Sequence, residues 1–138
     1  MRELMMVSFT VYTAPVAKAR PRVSTRHGRA FAYTPKKSAD YERLIAAQCP
    51  NRPIDGPLAL NLQFGIPIPA SWSKRKKADA LSGVIRPTSR PDIDNYVKAV
   101  MDAVNGLAYY DDSQVVSLYA KLIYSDWPHV RLEAVSVY

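Results

Sequence analysis

Residues 90–106 read RPDIDNYVKAVMDAVNG. Ile93, Val97, Val100, Met101 and Val104 recur at spacings of three and four, which places them on one stripe of an α-helix. Asp92 or Asp94 can cap the start, and Asn105-Gly106 supplies a stop. Strand patterns flank this helix on both sides. Upstream, LALNLQFGI (58–66) alternates. Downstream, VVSLYAKLIY (115–124) and VRLEAVSVY (130–138) read as strands, and Ser125-Asp126-Trp127-Pro128 is expected to join them as an antiparallel hairpin.

Further upstream, LMMVSFTVY (4–12) reads as a first strand. KKSADYERLIAAQC (36–49) reads as a helix that Ser38 can cap, with Tyr41, Leu44, Ile45 and Gln48 near one face. In PIPASWSKRKKADAL, Ser71 is a candidate cap for a short helix. The order is strand, arm, helix, strand, short helix, helix, strand, strand. It describes one α+β (mixed α/β) domain over 1–138, with helices packed on a small mixed or antiparallel sheet and a C-terminal β-hairpin.

At 138 residues the chain can bury a core without disulfide staples, and its one cysteine, Cys49, excludes both a disulfide framework and a cysteine-built zinc site. Cys49 reads as a small buried hydrophobe at a helix end. Five glycines and no Gly-rich loop argue against a dinucleotide or Walker-type site. No stretch approaches the roughly 20 apolar residues that span a bilayer. The N-terminus reads as a strand rather than a leader, so a cytoplasmic, intracellular location is expected.

The net charge of +7 suggests a polyanionic partner, with nucleic acid first. Two stretches concentrate positive charge. Residues 13–35 read as a long surface arm carrying Lys18, Arg20, Arg22, Arg26, His27 and Arg29 and no acidic residue. The run Lys74-Arg75-Lys76-Lys77 forms the second patch. Both are candidate DNA-backbone contacts; the bland alternative for each is a solvated basic surface. Trp72, Tyr109 and Tyr110 are candidate faces for unpaired bases. His27 and His129 lack metal-ligand spacing and receive no catalytic role.

Against this background Asp92, Asp94 and the pair Asp111-Asp112 form an acidic island. A helix of this length spans roughly 17 Å. The second pair therefore meets the first only if its loop folds back, or if a partner subunit supplies it. Carboxylates converging in a basic protein suit Mg²⁺ or Mn²⁺, held where a phosphodiester is cut. Lys98, one turn after Asp94, can stabilise charge on the phosphate. The structural alternative is a capping Asp92, an Asp94–Lys98 surface pair and an Asp-Asp turn. Asp102 reads as an extension of the polar face.

The run RPDIDNYVKAVMDAVNGLAYYDDSQVV resembles the signature of the RusA family of Holliday-junction resolvases, a D-x-D-N-x-x-K-A-x-x-D-A block followed by D-D-x-Q-[VI]. Asp92 to Asp102-Ala103 match the first block, and Asp111-Asp112-Ser113-Gln114-Val115 match the second. PVAKARPR, YTPKK, PIPASWSKRKK and Lys121 agree as well. The resemblance implies a Mg²⁺-dependent, homodimeric endonuclease (Mn²⁺ as substitute), often prophage-borne. Such an enzyme cuts opposed strands of a four-way DNA junction in recombination and repair. It implies Asp92, Asp94 and Asp112 as catalytic metal ligands and Lys98 as the essential lysine. Asp111, Asn95 and Gln114 match signature positions without an assigned role. Two rival readings are a non-catalytic branched-DNA-binding module and a less selective or RNA-directed nuclease on the same scaffold.

Overall fold

The computed structural model describes residues 4–19, 22–26, 28–33 and 35–137. Its elements are β1 (Met6–Val11), β2 (Arg22–Arg26), β3 (Arg29–Tyr33), α1 (Lys36–Gln48), β4 (Leu58–Pro67), α2 (Lys74–Ser82), α3 (Ile93–Val104), β5 (Val115–Ser125) and β6 (His129–Ser136). A mixed four-stranded sheet in the order β1-β6-β4-β5 carries the three helices, and β2 and β3 form a separate antiparallel pair. The α+β expectation holds. No helix among the described residues is long and apolar enough to cross a membrane.

The core follows from two periodicities. Along β4, Leu58, Leu60, Leu62 and Phe64 are buried, and along β6 Val130, Leu132 and Ala134 are buried, each set at the strand period of two. On α1, Ser38, Tyr41, Ile45 and then Cys49 point inward at helical spacing. Burial pushes the Cys49 thiol up to about 11, as expected of an unreactive core cysteine. On α3 the buried face holds Tyr96, Val97, Ala99, Val100, Ala103 and Val104, whereas Ile93 is 40% exposed. The stripe is thus rotated from the expected one. Ala99 and Ala103 fill the buried face, and Ile93 and Met101 line a cleft.

The expected C-terminal hairpin is not formed: β4 lies between β5 and β6, parallel to the first and antiparallel to the second. The reason lies in the burial each strand demands. β4, with Leu58, Leu60, Leu62 and Phe64 buried, takes an inner position, while β5, with Val116, Leu118 and Tyr119 exposed, accepts the edge. The connection 126–128 steps over two inter-strand spacings of about 4.8 Å each, within reach of three residues. Gly65 makes room for it. Gly65 pairs with His129, and a methyl group on Gly65 would overlap the imidazole. Gly65→Val is therefore expected to cost about 1–3 kcal/mol by overpacking, read as a lower Tm with an unchanged far-UV spectrum. An unaltered Tm would show that the ring is not seated there.

Arg22–Arg26 and Arg29–Tyr33, read as part of a long surface arm, form the β2–β3 pair, with Arg26 opposite Arg29 and Gly28 at φ 75° between them. A left-handed turn glycine between β-branched and aromatic residues is a hairpin signal that the charge density hid. Two expected caps also move. Ser38 lies inside α1, which starts after Pro35, and its Oγ accepts a 3.4 Å hydrogen bond from Ala19 N–H. Ser73 rather than Ser71 caps α2, accepting from Lys76 N–H at 3.2 Å.

Candidate active site

The cleft is built on α3. Asp92 occupies the N-cap position with extended backbone, and its side chain makes no capping hydrogen bond. Asp94 lies in the first turn, where the helix dipole stabilises negative charge. After Asn105 the chain turns at Gly106 (φ 83°) and folds back along the helix. Ala108 and Tyr109 become fully buried, and Ile54 N–H donates to the Ala108 carbonyl at 2.9 Å. That return brings Asp112 onto the α3 face within one chain. Asp94, Lys98, Asp102 and Asp112 line a single cavity of ≈ 450 Å³, floored by Ile93, Val97, Met101, Leu118 and Ala120.

The loop carrying Asp112 is locked by its own side chains. Gln114 accepts hydrogen bonds from Tyr110 N–H at 2.7 Å and Asp111 N–H at 2.9 Å, and donates to the carbonyls of Ile54 and Gly56, each at 2.8 Å. Both hydrogens and both lone pairs of one amide are used. Asp111 accepts from Ser113 N–H at 2.9 Å, completing a capping box with Gln114. Its hydrogen bonds to Ser113 hold its carboxyl below the ordinary carboxylate range. The Tyr109 hydroxyl lies 2.9 Å from Asp112 Oδ1 and 3.2 Å from the Met101 carbonyl oxygen. Burial first, then the bond to Asp112 and the nearby carboxylates, push its pKa far up, so it remains a proton donor to Asp112. Asp111, Gln114 and Tyr109 thus position Asp112, a role their sequence pattern did not disclose. Tyr109, being fully buried, cannot stack on a base; Tyr110, 62% exposed, can.

Asp102 proves central to the charges. Its carboxylate pairs with Lys18 at 3.2 Å and Lys98 at 3.5 Å, and Lys18 also pairs with Glu42 at 2.9 Å. The bland Asp94–Lys98 pair is absent from the ion pairs of the described residues, since Lys98 turns to Asp102. Lys18, expected on a DNA-binding arm, is anchored: its N–H donates to the Asn95 carbonyl at 2.8 Å, and its ammonium is largely covered. Desolvation lowers its pKa, but hydrogen bonds to Glu42 and Asp102 outweigh that and leave it raised, so the Lys18 ammonium stays charged. Among the described residues neither Asp94 nor Asp112 pairs with a cation.

Asp92 does not enter this cavity. It lines an adjacent groove with Arg86, Thr88, Ser89 and Lys121, and Ile93 borders both spaces. Among the described residues no three His, Cys, Asp or Glu side chains cluster as a complete metal site. Of the three expected ligands, Asp94 and Asp112 line the cavity together and Asp92 lines the groove beside it. That donor set still fits Mg²⁺, which keeps several waters and takes one or two carboxylates plus substrate phosphate oxygens. Of the basic residues, Lys74, Arg75 and Lys76 are exposed on the first turn of α2, and Lys77 is half-buried. Lys76 Nζ lies 4.0 Å over the Trp72 ring, which packs edge-on against Tyr124. Arg22 opens β2, and Arg20 and His27 lie outside the described residues.

A mixed sheet carrying a cleft with two carboxylates unpaired among the described residues, a nearby lysine and a basic surface defines a candidate phosphodiester-cutting protein. The family model described as Endodeoxyribonuclease RusA matches residues 13–134. The chain is 46% identical over 132 residues to the uncharacterized protein YqaN of Bacillus subtilis (strain 168), covering 91% of this chain and 93% of that protein. It is 43% identical over 51 residues to the crossover junction endodeoxyribonuclease rusA of Lactococcus phage r1t, covering 36% of this chain and 39% of that one. The chain belongs to the RusA endodeoxyribonuclease family.

Proposed function

We propose that the chain is a divalent-metal-dependent endonuclease that resolves four-way DNA junctions by paired nicks, working as a homodimer in the bacterial cytoplasm and encoded by a bacterium or a phage. The observation that carries this is the shared cleft of Asp94, Asp112 and Lys98, whose two carboxylates pair with no cation among the described residues, in a chain of charge +7. A bound Mg²⁺, or Mn²⁺ in its place, supplies Lewis-acid charge and a water of lowered pKa. Asp94 and Asp112 hold it, with Asp92 next to them toward Lys121. Tyr109 fixes the Asp112 carboxylate by hydrogen bonding. Asp102 holds Lys98 at the cleft, where its ammonium offsets charge on the phosphate. Supporting self-association, β5 is an 11-residue sheet edge with Val116 and Tyr119 exposed, and Leu118 on the same strand lines the cleft. A two-fold dimer presents two such clefts to two equivalent phosphates.

The test is incubation with a synthetic four-way junction, with and without Mg²⁺, and mapping of cuts on all four strands. Symmetric cuts on opposed strands, absent in chelator, are expected. Salt-sensitive binding with no nicking in Mg²⁺ or Mn²⁺ would replace this reading by a binding module. Equal cutting of duplex, flap or structured RNA would replace it by a less selective nuclease.

The basic first turn of α2 opposes the helix dipole, an arrangement that an anionic partner relieves. The double substitution Lys74→Ala/Arg75→Ala is expected to flatten the slope of log K against log salt by about 1–2, near 0.9 per lost phosphate contact. An unchanged slope in a salt titration would remove this turn from the DNA interface.

A further inference from the structure

On the sheet face opposite the Asp94 cleft lies a second space of ≈ 700 Å³, lined by Thr10, Tyr12, Ser125, Trp127, His129 and Arg131. The strand period places it there: Val130 and Leu132 of β6 face the core, so His129 and Arg131 face the other way, as does Thr10, paired with Arg131. Tyr12 and Trp127 are each 75% exposed. Single large aromatic residues at surfaces need no explanation; two on one concavity beside a guanidinium do.

The groups between the aromatics are held in place. His129 Nδ1 donates to the Trp127 carbonyl at 2.7 Å, and its Nε2 accepts from Gln63 Nε2 at 2.9 Å. Both ring nitrogens are thereby committed, and the ring rests on Gly65, where no other residue would admit it. The Tyr12 ring centroid lies 6.4 Å from that of His129, at 57°. Arg131 is steered by the Thr10 hydroxyl at 3.2 Å and the Ser8 hydroxyl at 3.5 Å. Its only acidic neighbour among the described residues is Glu133 at 3.9 Å, so it keeps donor capacity for an outside anion. Flat exposed rings, a fixed amide and imidazole, and a steered guanidinium match what an unpaired nucleotide offers: a π-face and a phosphate.

We propose that this face is a single-strand site, in which Tyr12 and Trp127 stack on unpaired bases and Arg131 takes the adjoining phosphate. It lies apart from the Asp94 cleft and does not depend on cutting. It gives the protein a grip on strands that have left the duplex, which a duplex-binding basic patch alone does not discriminate.

The test measures fluorescence anisotropy of an end-labelled ten-residue oligothymidylate, and of a duplex of equal length, in EDTA so that no cleavage intervenes. Trp127→Ala keeps the carbonyl that His129 uses, and both aromatics are exposed, so circular dichroism should be unchanged. Trp127→Ala and Tyr12→Ala are each expected to weaken single-strand binding about 10-fold, while duplex binding stays within about two-fold. Unchanged single-strand affinity in the double variant, or an equal loss on duplex, would overturn the proposal. So would a shift from dimer to monomer in sedimentation with oligonucleotide binding intact, which would assign the face to a second copy of the chain. Junction cleavage, assayed separately in Mg²⁺, stands or falls on the opposite cleft.

Discussion

Asp94→Asn is expected to reduce four-way-junction cleavage by about 10³-fold or more, equivalent to roughly 4 kcal/mol of barrier, while leaving junction binding intact or tighter. The side chain sits in the first turn of α3, lines the cavity it shares with Asp112 and Lys98, and has no cationic partner among the described residues. Removing its charge therefore breaks no ion pair of the described fold and forfeits only about 0.3–1 kcal/mol of helix-dipole interaction, too little to unfold the domain. The amide is nearly isosteric and remains compatible with the helix start. The change lowers repulsion between cleft and phosphate, which is why affinity should hold or rise. Raising Mg²⁺ or substituting Mn²⁺ should restore part of the rate if the lost carboxylate acts by holding a cation. Cleavage at the wild-type rate would take Asp94 out of the chemistry. A parallel collapse of binding would mean that the residue shapes the DNA surface instead. The same substitution at Asp102 should behave differently, because it frees Lys98 and leaves Lys18 with Glu42 alone, and it is expected to lower Tm as well as rate.

What the amino-acid pattern disclosed and what it hid divide along a physical line. α3 was legible because a helix writes its inward face into sequence at a fixed period, and the two blocks carrying Asp94, Lys98 and Asp112 stand at its ends. β4 and β6 were legible for the same reason at a period of two. The order of strands was not, because adjacency in a sheet is settled by competition for burial between distant segments. The short 125–128 connection favoured a local hairpin, but β4, with its buried face, pairs with both strands and lies between them. The β2–β3 pair was masked by its arginines, although Gly28 marked the turn. At the site, Lys18 and Glu42 come from segments with no patterned relation to α3. Their convergence on Asp102 is a product of packing alone. Asp92 shows the limit of close spacing. Two residues from Asp94, but in the extended N-cap rather than in the helix, it opens onto the neighbouring groove beside Lys121.

Gln114→Glu, a change of one amide to a carboxylate, is expected to destabilise the fold by about 3 kcal/mol and to lower cleavage further than stability alone explains. The wild-type amide donates to the carbonyls of Ile54 and Gly56 at 2.8 Å each. A carboxylate offers no donor there, so its second oxygen faces two carbonyl oxygens and both lose their partner. Tyr110 and Asp111 N–H keep an acceptor, so the loop is weakened on one side only. For a domain of this size the loss corresponds to a fall in Tm of roughly 6–20 °C. The catalytic consequence follows from geometry: Asp111 and Gln114 form the capping box around Asp112, and Tyr109, buried beside them, donates to its Oδ1. A slackened box lets that carboxylate swing away from Asp94. The two effects separate experimentally by assaying cleavage well below the variant's own Tm, where nearly all of it is folded. A rate reduced about 10-fold or more there identifies Gln114 as a positioning residue for Asp112. A folded variant that cuts at the wild-type rate would confine Gln114 to stability, and a variant with unchanged Tm would refute the four-bond accounting itself. Protonating the introduced carboxyl restores one donor, so the Tm deficit should shrink as pH falls toward 4. Gln114→Ala, which cannot titrate, should show no such recovery.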